Sequence, residues 1–102
     1  MSEQRTYVGV LNDEYAGMTA IGRIVRDAWV FGLLPETETC AGWNMDRIQE
    51  IYDRVTEAWG PYGHLVSRLP PELRDRHARI YEEALRLARD HGWDPDLGDE
   101  EE

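Results

Sequence analysis

The strongest constraint in this sequence is an apolar repeat at helical spacing, met three times and cut each time by glycine or proline. It is clearest in the middle of the chain. Ile48, Ile51, Tyr52, Val55 and Trp59 share one helix face, with Asp46, Glu50, Asp53, Arg54 and Glu57 opposite. Asn44 stands where an N-cap accepts a hydrogen bond from the first turn, and Trp43 before it can pack on Ile48 as a hydrophobic staple. Glu50 and Arg54 have the spacing and order of a helical ion pair. Gly60 followed by Pro61 ends the segment.

An earlier pattern runs from Asp13 to Leu33. Met18, Ile21, Val25, Ala28, Trp29 and Gly32 recur at helical spacing, with Arg23, Arg26 and Asp27 on the other side. Asn12 is the expected N-cap, and Gly17 and Gly22 are the weak points, each worth up to about 1 kcal/mol against alanine. The end of this helix, Ala28 to Leu34, is apolar nearly all round, which predicts deep burial or an oligomer contact. The third pattern opens with Pro71 at the first helical position, where no N–H is missed. Leu73, Ile80, Tyr81, Ala84, Leu87 and Ala88 form its stripe, and Gly92 ends it after His91. Trp93 can then fold back on Leu87 or Ala88 in a Schellman closure.

The expected fold is all-α: a small bundle of three main helices plus a short fourth in the stretch HLVSRL. Residues 1–93 form one domain, with an N-terminal arm over 1–12 and a disordered acidic tail over 94–102. TYVGVL is the one strand-like run; with no strand to pair with, it is expected to be an extended arm covering the bundle.

Charge narrows the partners. The net charge is −10, and six of the acids lie in the last nine residues, so the rest, with fifteen acids and eleven arginines, is near −4. Such a field repels nucleic acid and anionic membrane. No apolar run approaches the ~20 residues of a membrane span, and the opening MSEQRTYVGV lacks the order of a signal peptide. A single cysteine forms no internal disulfide, so a cytoplasmic location is expected.

Chemistry has little purchase. Cys40, in the connector LPETETCAGWN, has Glu36 and Glu38 beside it, which disfavour a thiolate, so it reads as a small buried residue. His77 and His91 fall on the stripe of the third helix, about 21 Å apart at 1.5 Å rise, so they share no ion. His64 stands alone in the chain between helices. No catalytic residue, metal ligand or cofactor-binding residue is assigned, and no cofactor is expected. A small helical enzyme acting on an anion needs cations projecting inward, whereas Arg23, Arg47, Arg54, Arg79 and Arg86 map to outer faces.

The expected function is therefore a non-enzymatic, homodimeric protein-interaction or regulatory module. Its partner surface is the aromatic and aliphatic set Trp29, Phe31, Leu33, Leu34, Trp43 and Tyr62, rings of the kind enriched at binding hot spots. Arg68, Arg74, Arg76 and Arg79 make a locally basic patch suited to an anion. Two alternatives are a small enzyme or ligand-binding protein with its site between subunits, and an acidic mimic of nucleic acid.

Overall fold

The computed structural model describes residues 6–93. Three helices carry the fold: α1 (Ala20–Val30), α2 (Met45–Trp59) and α3 (Pro71–Asp90). Single 3-10 turns lie at Glu14–Gly17, Gly60–Tyr62 and Val66–Arg68, the last being the expected short fourth helix. The small all-helical bundle predicted from the apolar repeats is what forms. The acidic tail over 94–102 and the first five residues of the arm lie outside the described residues.

The middle and last helices begin and end where their local chemistry says. Asn44 accepts the Arg47 N–H at 2.9 Å. Arg47 also lays its guanidinium over the Trp43 ring, 4.0 Å from the centroid. After α3, the Gly92 N–H reaches Arg89 O at 3.0 Å and the Trp93 N–H reaches Ala88 O at 2.9 Å, the two bonds of a Schellman motif. Gly92 supplies the left-handed conformation this requires, with φ +93.

The first helix departs from expectation. Instead of one helix from Asp13 capped by Asn12, the chain makes a 3-10 turn capped by Asp13, then restarts at Ala20 with Thr19 as cap. Tyr15, Ala16 and Gly17 all have positive φ (51, 55 and 92), so the backbone turns left-handed there and cannot continue a right-handed helix. For Tyr15 and Ala16 that conformation costs roughly 1–2 kcal/mol each. Side chains hold it in place: Asp13 Oδ2 accepts from the Tyr7 hydroxyl at 2.7 Å and from the Thr19 hydroxyl at 2.6 Å. The approach of α1 to this turn is close enough to need glycine, because a Cβ on Gly22 would lie 2.0 Å from Gly17 O.

The arm finds its pairing partner within the chain. Tyr7 N–H donates to Trp43 O and Gly42 N–H to Tyr7 O, both at 2.8 Å, while Val10 N–H donates to Thr39 O at 3.0 Å. Thr6 and Asn44 form an isolated antiparallel bridge, and no strand occurs among the described residues. The connector LPETETCAGWN is thus the element that the arm lies against.

α1 is central, packing on α2 at one side and on α3 at the other, and α3 also packs on the Glu14–Gly17 turn. Two apolar clusters result. One joins Tyr7, Val10, Val25, Cys40 and Ile48; the other joins Ala28, Ile51, Val55, Trp59 and Leu69. Ala84 and Ala88, fully buried on α3, let that helix approach closely. No helix of the described residues is long and apolar enough to cross a membrane.

Candidate functional site

The aromatic set expected to face a partner is used mostly inside the chain. Trp29, Leu34 and Trp43 pack on the first cluster, while Phe31, Leu33 and Tyr62 pack on the second. Phe31 meets Trp59 edge to face at 5.1 Å and stacks on Tyr62 at 6.4 Å. Trp29 donates its indole N–H to Glu38 O at 2.9 Å. All six are half-buried. The apolar run at the end of the first helix therefore has a partner in its own chain, which removes the observation that pointed to a dimer contact there.

The apolar surface that does stay open lies elsewhere. Ile21 and Ile24 of α1 with Met45, Ile48 and Tyr52 of α2 line a groove of about 520 Å³, edged by Arg23 and Gln49. It adjoins a second hollow of about 470 Å³ whose walls include Val8, Ile21 and Met45. Tyr52, read from the pattern as a core residue, is 47% exposed, and Val8 is 55% exposed. The pattern misplaced Tyr52 because no element packs beside that edge of α2.

The four-arginine patch is dispersed. Arg76 donates to Val30 O at 3.0 Å, tying α3 to the end of α1. Arg79 makes a bidentate pair with Glu36, at 3.0 and 2.8 Å, and each holds the other in its charged form. Arg68 and Arg74 are exposed. No common anion site is formed by the four. The expected Glu50–Arg54 pair is not among the ion pairs of the described residues.

The arginine that matters was assigned to the polar side of its helix. Arg26 is 2% exposed. Its Nη2 donates to Ala16 O at 2.8 Å, and its Nη1 is buried with no hydrogen-bond partner. Burial pushes its pKa below the usual arginine value. A polar helical pattern gave no warning, because α1 has neighbours on two sides, Gly17 leaves room for the side chain, and Gly22 lets the Gly17 turn come close to the helix. Those two glycines, five residues apart, are the sequence signal that could have found it.

Arg26 closes the floor of a cleft of about 780 Å³ between α1, the start of the chain and α3. Leu11, Trp29, Ile80 and Leu87 supply apolar wall, and Glu36, Arg79, Glu82, Glu83 and Arg86 form the charged margin.

Cys40 is fully buried in the first cluster with φ 65, and its own N–H donates to Glu38 Oε2 at 3.0 Å. Burial, then the Glu38 carboxylate, pushes the thiol up to about 11, so it has no nucleophilic character near neutral pH. His64 and His77 both lie against Trp59, at 6.0 and 6.3 Å between ring centroids. His77 also stacks on Tyr81 at 4.5 Å, and burial lowers its pKa. His91 is off the stripe: it is exposed and stands as the C-cap of α3. No group of three or more His, Cys, Asp or Glu side chains among the described residues could hold a metal ion.

No family model matches the chain, and neither curated proteins nor solved structures include a significant match to it.

Proposed function

We propose that the protein is a non-enzymatic interaction module that acts as a homodimer, with the α1–α2 groove as the contact face. The carrying observation is the open apolar band of Val8, Ile21, Ile24, Met45 and Tyr52, which no other described residue covers. Contiguous apolar surface of this kind is commonly an interaction site. A second copy is the occupant favoured by charge. An isologous contact that lays α1 of one copy over α2 of the other brings Arg23 against the acidic outer face of α2, which carries Asp46, Glu50 and Asp53. Two helices from each copy then form a four-helix contact, a common dimer architecture. The acidic surface supports a role without nucleic acid, and the single buried thiol suits a reducing, cytoplasmic setting.

Sedimentation equilibrium tests this directly. The wild-type chain should be dimeric at ~100 µM, a concentration tenfold or more above a micromolar Kd. Met45→Glu with Tyr52→Glu should give a folded monomer, because both positions are exposed and a charge there disturbs only the contact. A wild-type monomer at that concentration, or a dimer indifferent to both substitutions, sinks the reading.

A further inference from the structure

We propose that the cleft floored by Arg26 is a binding site for a small carboxylate with a flat, apolar body. It lies about 180° round α1 from the dimer face, so it stands independently of that reading.

Buried cations in folded chains are ordinarily paired and fully hydrogen-bonded, because an uncompensated buried charge is strongly destabilising. Among the described residues, Arg26 has one backbone carbonyl and no carboxylate in contact, and Nη1 has no hydrogen-bond partner. The carboxylates at the cleft act on it only from a distance. Glu36 is taken by Arg79, and Glu83 by Arg86. Glu82 stands exposed on the margin, where water and salt screen it. Among the described residues, the cation at the floor is therefore the cleft arginine with a vacant donor and no ion partner, and a planar carboxylate is the anion that a guanidinium fork matches best.

The walls define the rest of the ligand. The volume of about 780 Å³ falls within the ~300–1,000 Å³ of small-molecule sites. Trp29, whose ring centroid is 5.9 Å from the Arg26 guanidinium carbon, offers a flat face, and Ile80 and Leu87 offer aliphatic wall. A polyphosphate or an acidic peptide is disfavoured, since the margin carries three carboxylates against two guanidinium groups. Nη1 is buried beside Gly17. Arg26 is 2% exposed, so a ligand reaches the guanidinium only when the cleft wall, whose Leu11 is 50% exposed, gives way. The left-handed turn serves the same end: it aims Ala16 O at Nη2 and thereby holds the guanidinium in place before any ligand arrives.

Titrations of the full chain with benzoate and with benzamide, followed by NMR, test the proposal. Benzoate should move the Trp29 indole N–H and Arg26 Nε–H signals saturably, and the uncharged amide should bind about tenfold more weakly or worse. Arg26→Met should abolish the preference for the acid, and Leu87→Trp, which fills the cleft, should abolish both responses. Should Arg26→Met fail to fold, the acid–amide comparison and Leu87→Trp decide alone. Equal affinity for acid and amide, shifts that stay linear, shifts centred elsewhere, or a folded Arg26→Met with unchanged benzoate binding would each overturn it.

Discussion

The Tyr81 hydroxyl donates to Oδ1 of Asp27 at 2.6 Å, joining the last helix to the first. The other oxygen of the same carboxylate accepts the Trp59 indole N–H at 3.1 Å, so one acid on α1 ties both flanking helices to it. Arg23 O also lies within reach of the hydroxyl at 3.1 Å, but the single proton favours the shorter bond to the charged acceptor. Asp27→Ala should therefore strand the Trp59 N–H and leave the Tyr81 hydroxyl only its longer bond to Arg23 O. The expected loss is about 2–4 kcal/mol in urea unfolding, against about 2 for Tyr81→Phe, which removes one bond and leaves the carboxylate its other partner. In thermal melts the latter corresponds to roughly a 10 °C fall in Tm for a domain of this size. Losses below about 0.5 kcal/mol for both would mean that water satisfies these groups equally well.

Two glycines should respond to alanine very differently. At Gly22 the new methyl meets Gly17 O at 2.0 Å and would force the left-handed turn off α1. Destabilisation of about 2–3 kcal/mol is expected, despite alanine's better helix propensity. Gly60, at the end of α2, has ordinary right-handed dihedrals (φ −49, ψ −52) and open space around it. Gly60→Ala should change stability by less than about 0.5 kcal/mol, because the restriction of the unfolded chain is offset by the crowding of the new Cβ against Pro61 in this right-handed region. Denaturant midpoints for the two variants measure both.

Cys40 should be chemically silent in the folded protein. With the thiol pushed up to about 11, roughly one molecule in a thousand is ionised at pH 8, and the sulfur is fully buried as well. Labelling by a disulfide reagent should run at least ~100-fold slower than with a free thiol and accelerate to the free rate in denaturant. Fast labelling of the native chain would refute the burial.

His77 should make the fold sensitive to mild acid. Burial beside Trp59 and Tyr81 holds its pKa below the ordinary 6.5, with only the Asp27 charge acting the other way. The native state thus binds fewer protons than the unfolded state in this range, and its contribution to stability is complete above pH 6.5. It is lost as pH falls through the folded pKa. Urea unfolding at about pH 7.5, 6 and 5 should show stability falling with pH in the wild type and falling less in His77→Gln. Equal slopes would assign the effect to other groups.

Those residues also mark the limits of reading this chain from its sequence. α2 and α3 were legible because their signals are local: Asn44 caps, Pro71 begins, Gly92 and Trp93 close, and each acts within a turn of itself. The break before α1 was not, since it depends on Asp13 reaching both Tyr7 and Thr19 through space. The partner of the arm was hidden for the same reason: backbone pairing with residues 39–44 leaves no mark in side-chain periodicity. Periodicity failed for the candidate sites in both directions. It put Arg26 outside, because one amphipathic pattern cannot describe a helix packed on two sides, and it put Tyr52 inside, where no described element covers it. The aromatic residues were correctly singled out as unusual, but their half-buried packing on Trp59 and Cys40 needs coordinates to see.

The pairing of the arm with the connector has a consequence for synthesis on the ribosome. Every buried member of the first cluster, from Tyr7 to Ile48, lies in the first half of the chain. That half can begin to collapse while the remainder is still being translated, because domains assemble in the order their contacts emerge. Asp27 must wait longer, since its two partners stand at positions 59 and 81. The nascent chain therefore exposes α1 as a half-covered helix until Tyr81 leaves the exit tunnel, and that interval is when a chaperone would have something to hold.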